Sequence, residues 1–267
     1  MTASLEAAWR PPSAGRPWPA RVGVCFTTAL LADGRRFDLG GDASRSCIAD
    51  NRDLLARRLG VVGVQYLRQV HGVEVVHAHA GTLADEPEAD GVITTTPGIA
   101  VAVLTADCLP VVLADEGGGC VAAVHAGWRG LAAGVLERCV AALPVPARRV
   151  HALLGPAIGQ SAFEIGPEVR QLLIGTAVGT EQQALVESCF VPGRGDRWHA
   201  DLAALAAARL SAAGVGAIHA MDIDVAAEDS AYFSFRRDAG KTGRQASVAW
   251  LRTPDVQPAS QLSTIAS

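Results

Sequence analysis

Eight short apolar runs, each bounded by Gly, Pro or Asp, constrain this chain more than any other feature. They span residues 22–28, 73–78, 99–105, 110–114, 121–124, 150–154, 217–222 and 246–251. Runs of this length, with little polar alternation, suit strands that are buried on both faces. Between some of them lie segments of helical period. Asp50 can cap a helix running to Leu59 with Gly60 as its stop, and Pro167 suits the first turn of a helix ending near Gly175. Residues 128–143 carry Leu131, Val135, Leu136, Cys139 and Val140 at helical spacing, and residues 200–213 form an Ala- and Leu-rich helix. The expected class is α+β (mixed α/β) with mixed β-sheets.

With 267 residues, 49% of them hydrophobic, the chain can bury a full core. One domain is expected over residues 21–252, between flexible terminal segments 1–20 and 253–267 that lack a periodic apolar pattern. A formal net charge of −4 leaves no concentrated basic surface for nucleic acid, so a small molecule is the expected partner. The longest apolar region, residues 99–114, is interrupted by Asp107 and falls short of the roughly 18 residues of a membrane helix. The N-terminal stretch lacks the apolar core of a signal peptide, and a cytoplasmic location is expected. Six cysteines without CxxC spacing read as thiols, with Cys120 and Cys139 as small buried hydrophobes.

Chemistry-bearing residues gather where the apolar runs stop. The stretch Val124-His-Ala-Gly-Trp-Arg-Gly130 reads as a strand turning through glycine into a helix, which puts His125 at the strand end and Arg129 in the first helical turn, suited to an anion. Thr105-Ala-Asp-Cys-Leu-Pro110 and Gln69-Val-His-Gly72 have the same strand-end character, and ligand sites in α/β proteins collect at such ends. Imidazole and thiolate are preferred zinc ligands, and three protein ligands leave a tetrahedral position open. The spacing alone leaves other readings in place. His125 can be a satisfied core histidine, Arg129 a solvated helix residue, and Cys108 a thiolate nucleophile with His125 as its base, as in a cysteine amidase or hydrolase.

Those three segments, with Leu154-Gly-Pro-Ala-Ile-Gly159, Phe163-Glu-Ile-Gly166, Phe233-Ser-Phe-Arg-Arg-Asp238 and Thr242-Gly-Arg244, resemble the YfiH-type laccase-domain family in content and order over roughly residues 20–252. The resemblance implies a four-layer α/β/β/α fold with mixed sheets and a zinc site made by His71, Cys108 and His125. It also implies phosphorolysis of adenosine, inosine and methylthioadenosine, and adenosine deamination; the family also carries the labels polyphenol oxidase and peptidoglycan editing factor. The chain departs from the family pattern at Ala29 and Asp38, where Arg and Asn are usual, and at Asp224 and Val225, where Cys-Thr is common.

Phosphorolysis needs cations and N–H donors near the metal, and Arg129, Arg236, Arg237 and Arg244 are candidates, with Gln69 and Phe163 as further substrate contacts. Deamination needs a carboxylate to move a proton, for which Asp107 and Glu164 are candidates beside Cys108. Seven histidines and two methionines suit a multicopper oxidase poorly, so copper is expected only by substitution at the one zinc site. The combined expectation is a zinc-dependent purine nucleoside phosphorylase taking nucleoside and phosphate. Deamination is a companion activity in that reading. The cysteine hydrolase, a cell-wall editing role and copper-dependent polyphenol oxidation are the alternatives.

Overall fold

A computed structural model describes residues 16–41 and 44–253 of the chain. The segments 1–15 and 254–267, most of the expected flexible ends, lie outside the described residues. Two mixed sheets form the centre. One has four strands, β1 (Val22–Phe26), β13 (Gln245–Leu251), β5 (Ile99–Thr105) and β2 (Gly63–Gln65), in that spatial order. Only its last pair, β2 with β5, is parallel. The other has six strands in the order β12 (Ala217–Ala220), β8 (Val150–Leu154), β6 (Leu109–Asp115), β7 (Val121–Ala126), β4 (Gly91–Thr94) and β3 (Val75–His77). Its outer pairs are parallel and its inner pairs antiparallel. A small antiparallel sheet of β10 (Phe190–Pro192), β11 (Trp198–Ala200) and β9 (Glu164–Ile165) sits apart from these two.

The period-2 direction of side chains in a strand explains how these runs fill three apolar layers. Val101 and Val103 on β5 pack with Val112, Ala114, Val121 and Ala123 of the larger sheet, so the two sheets face each other. The intervening Ala100 and Ala102 turn outward, with Leu55 of helix α1 (Arg45–Leu59) in the same cluster. On the far side, Val111, Leu113, Ala122 and Val124 pack against helices α2 (Trp128–Ala133), α3 (Val135–Ala142) and α6 (Leu202–Ala212). Helices α4 (Pro167–Gly175) and α5 (Thr180–Glu187) extend that layer through Leu173 and Val186. The fold is therefore mixed α/β in four layers, α/β/β/α. The inner strands β5, β6, β7, β8 and β13 are covered on both sides, which is why their apolar runs do not alternate with polar residues.

Three local expectations are corrected. Helix α1 begins at Ser44, whose hydroxyl accepts from the Cys47 N–H, and Asp50 lies inside it. Its first turn is exposed and so carries no apolar signal to read. The helix expected over 128–143 is two helices, because Gly134 adopts φ 90° and its N–H closes onto the carbonyls of Gly130 and Leu131. Residues 69–72 form no strand end but a loop between β2 and β3, with His71 at φ 60°. The short strands β2, β4, β9, β10 and β11 and helix α5 gave no sequence signal of their own. Among the described residues no helix is long and apolar enough to cross a membrane.

Gly134 lies in a conformation that costs a side-chain-bearing residue about 1–2 kcal/mol, although a Cβ there meets nothing closer than Glu137 Oε2 at 3.6 Å. Gly134→Ala is expected to lower stability by about 1 kcal/mol, read in thermal unfolding as a fall in Tm of about 2–4 °C. An unchanged Tm would mean that the break between α2 and α3 does not depend on glycine.

Candidate metal centre

The site forms where the chain crosses between sheets. Strand β5 belongs to the four-stranded sheet and β6 to the six-stranded one, so residues 106–108 bridge the two and put Cys108 at their seam. Strand β7 runs antiparallel to β6 with His125 opposite Pro110, two residues past Cys108. The loop carrying His71 closes the arrangement. The Cys108 Sγ lies 3.9 Å from His71 Nε2, and the His71 and His125 rings meet edge-on with centroids 4.8 Å apart. One ligand atom from each of the three residues falls within 4.8 Å of the others, so the cluster could hold a metal ion; among the described residues it is the one such group of three.

The carboxylate of Asp90, fully buried at the head of β4, holds two of the three in place. Its Oδ1 accepts from His125 Nδ1 at 2.7 Å and from the His71 N–H at 3.0 Å. Its Oδ2 accepts from the N–H groups of Gly72 at 2.7 Å and Val70 at 3.1 Å. Four hydrogen bonds to one buried carboxylate stabilise the left-handed backbone at His71, which would otherwise be strained. They also turn the His125 Nδ1–H toward Asp90 and leave its Nε2 for a metal, the carboxylate–histidine arrangement of zinc sites. Sequence reading missed Asp90, because its run 91–94 is too short to mark the residue as a strand end.

Burial opposes the charge on Asp90, but the bonds from His125, Gly72 and Val70 outweigh it and hold the carboxyl below its usual range. Burial likewise opposes the Cys108 thiolate. Hydrogen bonds and charge from His125 and then His71 outweigh that and bring the thiol down to about 6. Burial would lower His125, yet its bonds to Asp90 and Cys108 raise it to about 9. Each group thus draws the other toward the thiolate–imidazolium form, and a metal at the trio would compete with the proton on His125.

The donor set fits a metal. Tetrahedral zinc with two nitrogens and a sulfur puts its donors about 3.3–3.6 Å apart, so the trio needs only a small contraction. Gly127, after β7, is the cradle: a Cβ there would lie 3.0 Å from the His71 ring and 3.1 Å from the Cys108 sulfur. Soft thiolate and imidazole suit zinc and copper alike, so the donors do not by themselves select between them.

The trio opens into a cavity of about 460 Å³, also lined by Gln69, Asp107, Phe235 and Arg244. A larger cleft of about 790 Å³ between α1 and residues 83–86 contains none of the three donors. The other expected site residues are distributed unevenly. Gln69 lines the cavity, but its amide clamps the Leu104 backbone, donating to the carbonyl at 2.8 Å and accepting from the N–H at 2.7 Å. Asp107 sits at φ 97° with both oxygens occupied by Ser234 Oγ and the Arg236 N–H. Of the four arginines only Arg244 lines the cavity. Arg129 is exposed and stacks over Trp128, at the start of a helix only six residues long. Arg236 donates to the Ala162 carbonyl, and Arg237 to the carbonyls of Val225, Ala227 and Tyr232 and to Asp238. Phe163 packs against the apolar core beyond the six-stranded sheet, and Glu164 is exposed on β9; neither lines the cavity. Two of the departures from the family pattern are structural: Asp38 accepts from the N–H groups of Gly40, Gly41 and Arg244, and Asp224 from those of Gly159 and Ala226.

The profile of a family described as multi-copper polyphenol oxidoreductase laccase matches residues 36–252. A Pseudomonas aeruginosa protein named as a purine nucleoside phosphorylase is 41% identical over 243 residues, covering 88% of this chain and 96% of its own. The Escherichia coli K12 protein named purine nucleoside phosphorylase YfiH is 42% identical over 186 residues, 70% of this chain and 73% of its own. Among solved structures, a Neisseria meningitidis protein superposes with a TM-score of 0.79 at 38% identity, over 88% of this chain and 97% of that one. YlmD from Geobacillus stearothermophilus gives the same TM-score at 25% identity, over 88% and 93%.

Two outcomes test the centre. In metal-free protein, alkylation of Cys108 followed by peptide mass spectrometry is expected to reach half its maximal rate near pH 6, since the depressed thiol is ionised above that value and protonated below it. A midpoint near the ordinary value of 9 would refute the thiolate–imidazolium pair. Asp90→Asn removes the charge that orients His125, and metal affinity measured by competition with a chelator is expected to weaken about 10–100-fold.

Proposed function

Because this chain belongs to the multi-copper polyphenol oxidoreductase laccase family, we propose that it is a metal-dependent purine nucleoside phosphorylase acting on adenosine, inosine and methylthioadenosine, with zinc as its metal. The observation that carries the reading is the His71, Cys108 and His125 trio at the wall of a cavity in which Arg244 is the one lining arginine among the described residues. The similar Pseudomonas aeruginosa and Escherichia coli proteins, both named purine nucleoside phosphorylases, support the substrate class.

In phosphorolysis a phosphate oxygen bonds to C1′ of the ribose while the C1′–N9 bond breaks. The electron pair goes to the purine, which takes up a proton available from the phosphate. His71, Cys108 and His125 would hold a metal whose charge would act as a Lewis acid in this reaction. The guanidinium of Arg244 meets the phosphate; its Nη1 is anchored on the Gly243 carbonyl at 2.9 Å, which fixes the group. Asp90 holds His125 in one tautomer, and the Gln69 clamp keeps the His71 loop against β5. Phosphorolysis is favoured over deamination because the latter needs a carboxylate free to move a proton. Asp107 has both oxygens bonded, and Glu164 lies off the cavity. Nor do the described residues hold a second metal cluster for multicopper oxidation.

One observation favours a second reading. Asp90, His125 and Cys108 make an acid–base–thiol chain, the arrangement of a cysteine hydrolase. The second imidazole on the thiol, His71, has no place in that mechanism and is a metal ligand's position, so the metal reading is preferred.

Inosine incubated with metal-loaded protein and phosphate is expected to yield hypoxanthine and ribose 1-phosphate in equal amounts, and nothing without phosphate. Arg244→Ala should raise the phosphate KM about 10–100-fold with metal content unchanged. Base release independent of phosphate would overturn phosphorolysis, and hydrolysis of amides that survives chelation would move the thiol reading ahead.

A further inference from the structure

Single exposed apolar side chains are ordinary on protein surfaces. Phe235 is set apart by position: it is 52% exposed, and it is the one aromatic residue, and the one exposed large apolar residue, that lines the cavity with the metal trio. Its placement is held from both sides. Asp107 accepts from the Ser234 hydroxyl at 2.6 Å and the Arg236 N–H at 2.7 Å, so one carboxylate grips the residues before and after Phe235. Asp107 is bonded in sequence to Cys108, which ties the ring's anchor to the trio's sulfur. On the other side the Gly240 N–H donates to the Phe235 carbonyl at 2.9 Å, and Gly240 adopts φ 86°. A Cβ on Gly240 would touch the Phe235 ring at 3.4 Å, so the glycine backbone backs the ring.

We propose that Phe235 is the residue that recognises the base of the nucleoside, by stacking its ring on the purine. Two polar groups of the same lining already serve the fold: the Gln69 amide is engaged by Leu104 and the Asp107 carboxylate by residues 234 and 236. Arg244 is a cation suited to the anionic co-substrate. The large exposed π-face that the described lining offers a flat heterocycle is that of Phe235. A ring carried on a backbone held in this way has only two side-chain torsions left to lose on binding. Stacking tolerates different exocyclic groups, which fits a site that accepts adenine and hypoxanthine alike.

The proposal rests on the phosphorylase reading for the reaction, but the binding of a free base tests it separately. Inosine kinetics and equilibrium binding of hypoxanthine are measured on the metal-loaded full chain and on Phe235→Ala, Phe235→Leu and Phe235→Tyr. Phe235→Ala is expected to raise the inosine KM and the hypoxanthine Kd about tenfold or more, with phosphate KM and metal content unchanged. Phe235→Leu, which keeps apolar bulk but no π-face, should be nearly as impaired, and Phe235→Tyr should behave like the parent. Unchanged inosine KM and hypoxanthine Kd in Phe235→Ala would overturn the proposal while phosphorolysis stands, as would full rescue by Leu. If the parent binds hypoxanthine and Phe235→Ala does not, while no nucleoside is cleaved, the stacking role holds and the phosphorylase reading fails. A parent protein that binds no hypoxanthine overturns the stacking role outright.

Discussion

The buried carboxylate of Asp90 is the interaction on which the centre depends. A charge with no exposure to water is costly unless its lone pairs are filled, and here four donors fill them. Three donors come from the loop of residues 70–72 and one from His125 on β7, so the group that needs compensation is also the one that fixes two elements distant in sequence. The His71 backbone keeps a left-handed conformation through that arrangement. It follows that one buried charge positions two of the three donors, His71 and His125, relative to each other.

A second carboxylate, next to Cys108 in the chain, joins distant segments in the same way. Asp107 follows the end of β5, in the crossing between sheets, and reaches residues 234 and 236 more than a hundred positions away. Its unusual backbone, φ 97°, is held by these bonds and by the Ile158 N–H donating to its carbonyl at 2.9 Å. Both non-glycine residues of positive φ at the cavity, His71 and Asp107, are thus pinned by hydrogen bonds from other segments. Strain stored at such positions is tolerated when the surroundings over-determine it, and ligand sites are where it collects.

The facing sheets explain why the cavity forms at this place. Their shared apolar layer is continuous through Val101, Val103, Val112, Ala114, Val121 and Ala123, and polar residues can enter only where the strands end. Cys108 and His125 lie at those ends, on one edge of the layer, close enough for imidazole to ionise the thiol. Gly127 completes the wall because no side chain fits between the His71 ring and the sulfur.

Much of this was legible in the residues alone. Long apolar runs bounded by Gly, Pro or Asp identified β5, β6, β7, β8 and β13, because burial on both faces leaves a strong local signal. Cys108 and His125 were conspicuous at strand ends, whereas the full trio with His71, which lies on a loop, was legible only through the motifs of the family resemblance. Strands of three or four residues, such as β2 and β4, were not, because their conformation comes from pairing partners and not from their own composition. For the same reason Asp90 was invisible and the roles of the arginines were open. Side chains such as Arg237 and Arg236 advertise charge in the sequence, but whether a guanidinium faces a cavity or a backbone carbonyl is decided by how the loops fold: Arg237 closes onto carbonyls 5, 10 and 12 residues before it, and Arg236 onto one 74 residues before it. Only the tertiary structure could decide that, since hydrogen bonds between distant segments exist only once both sheets have packed.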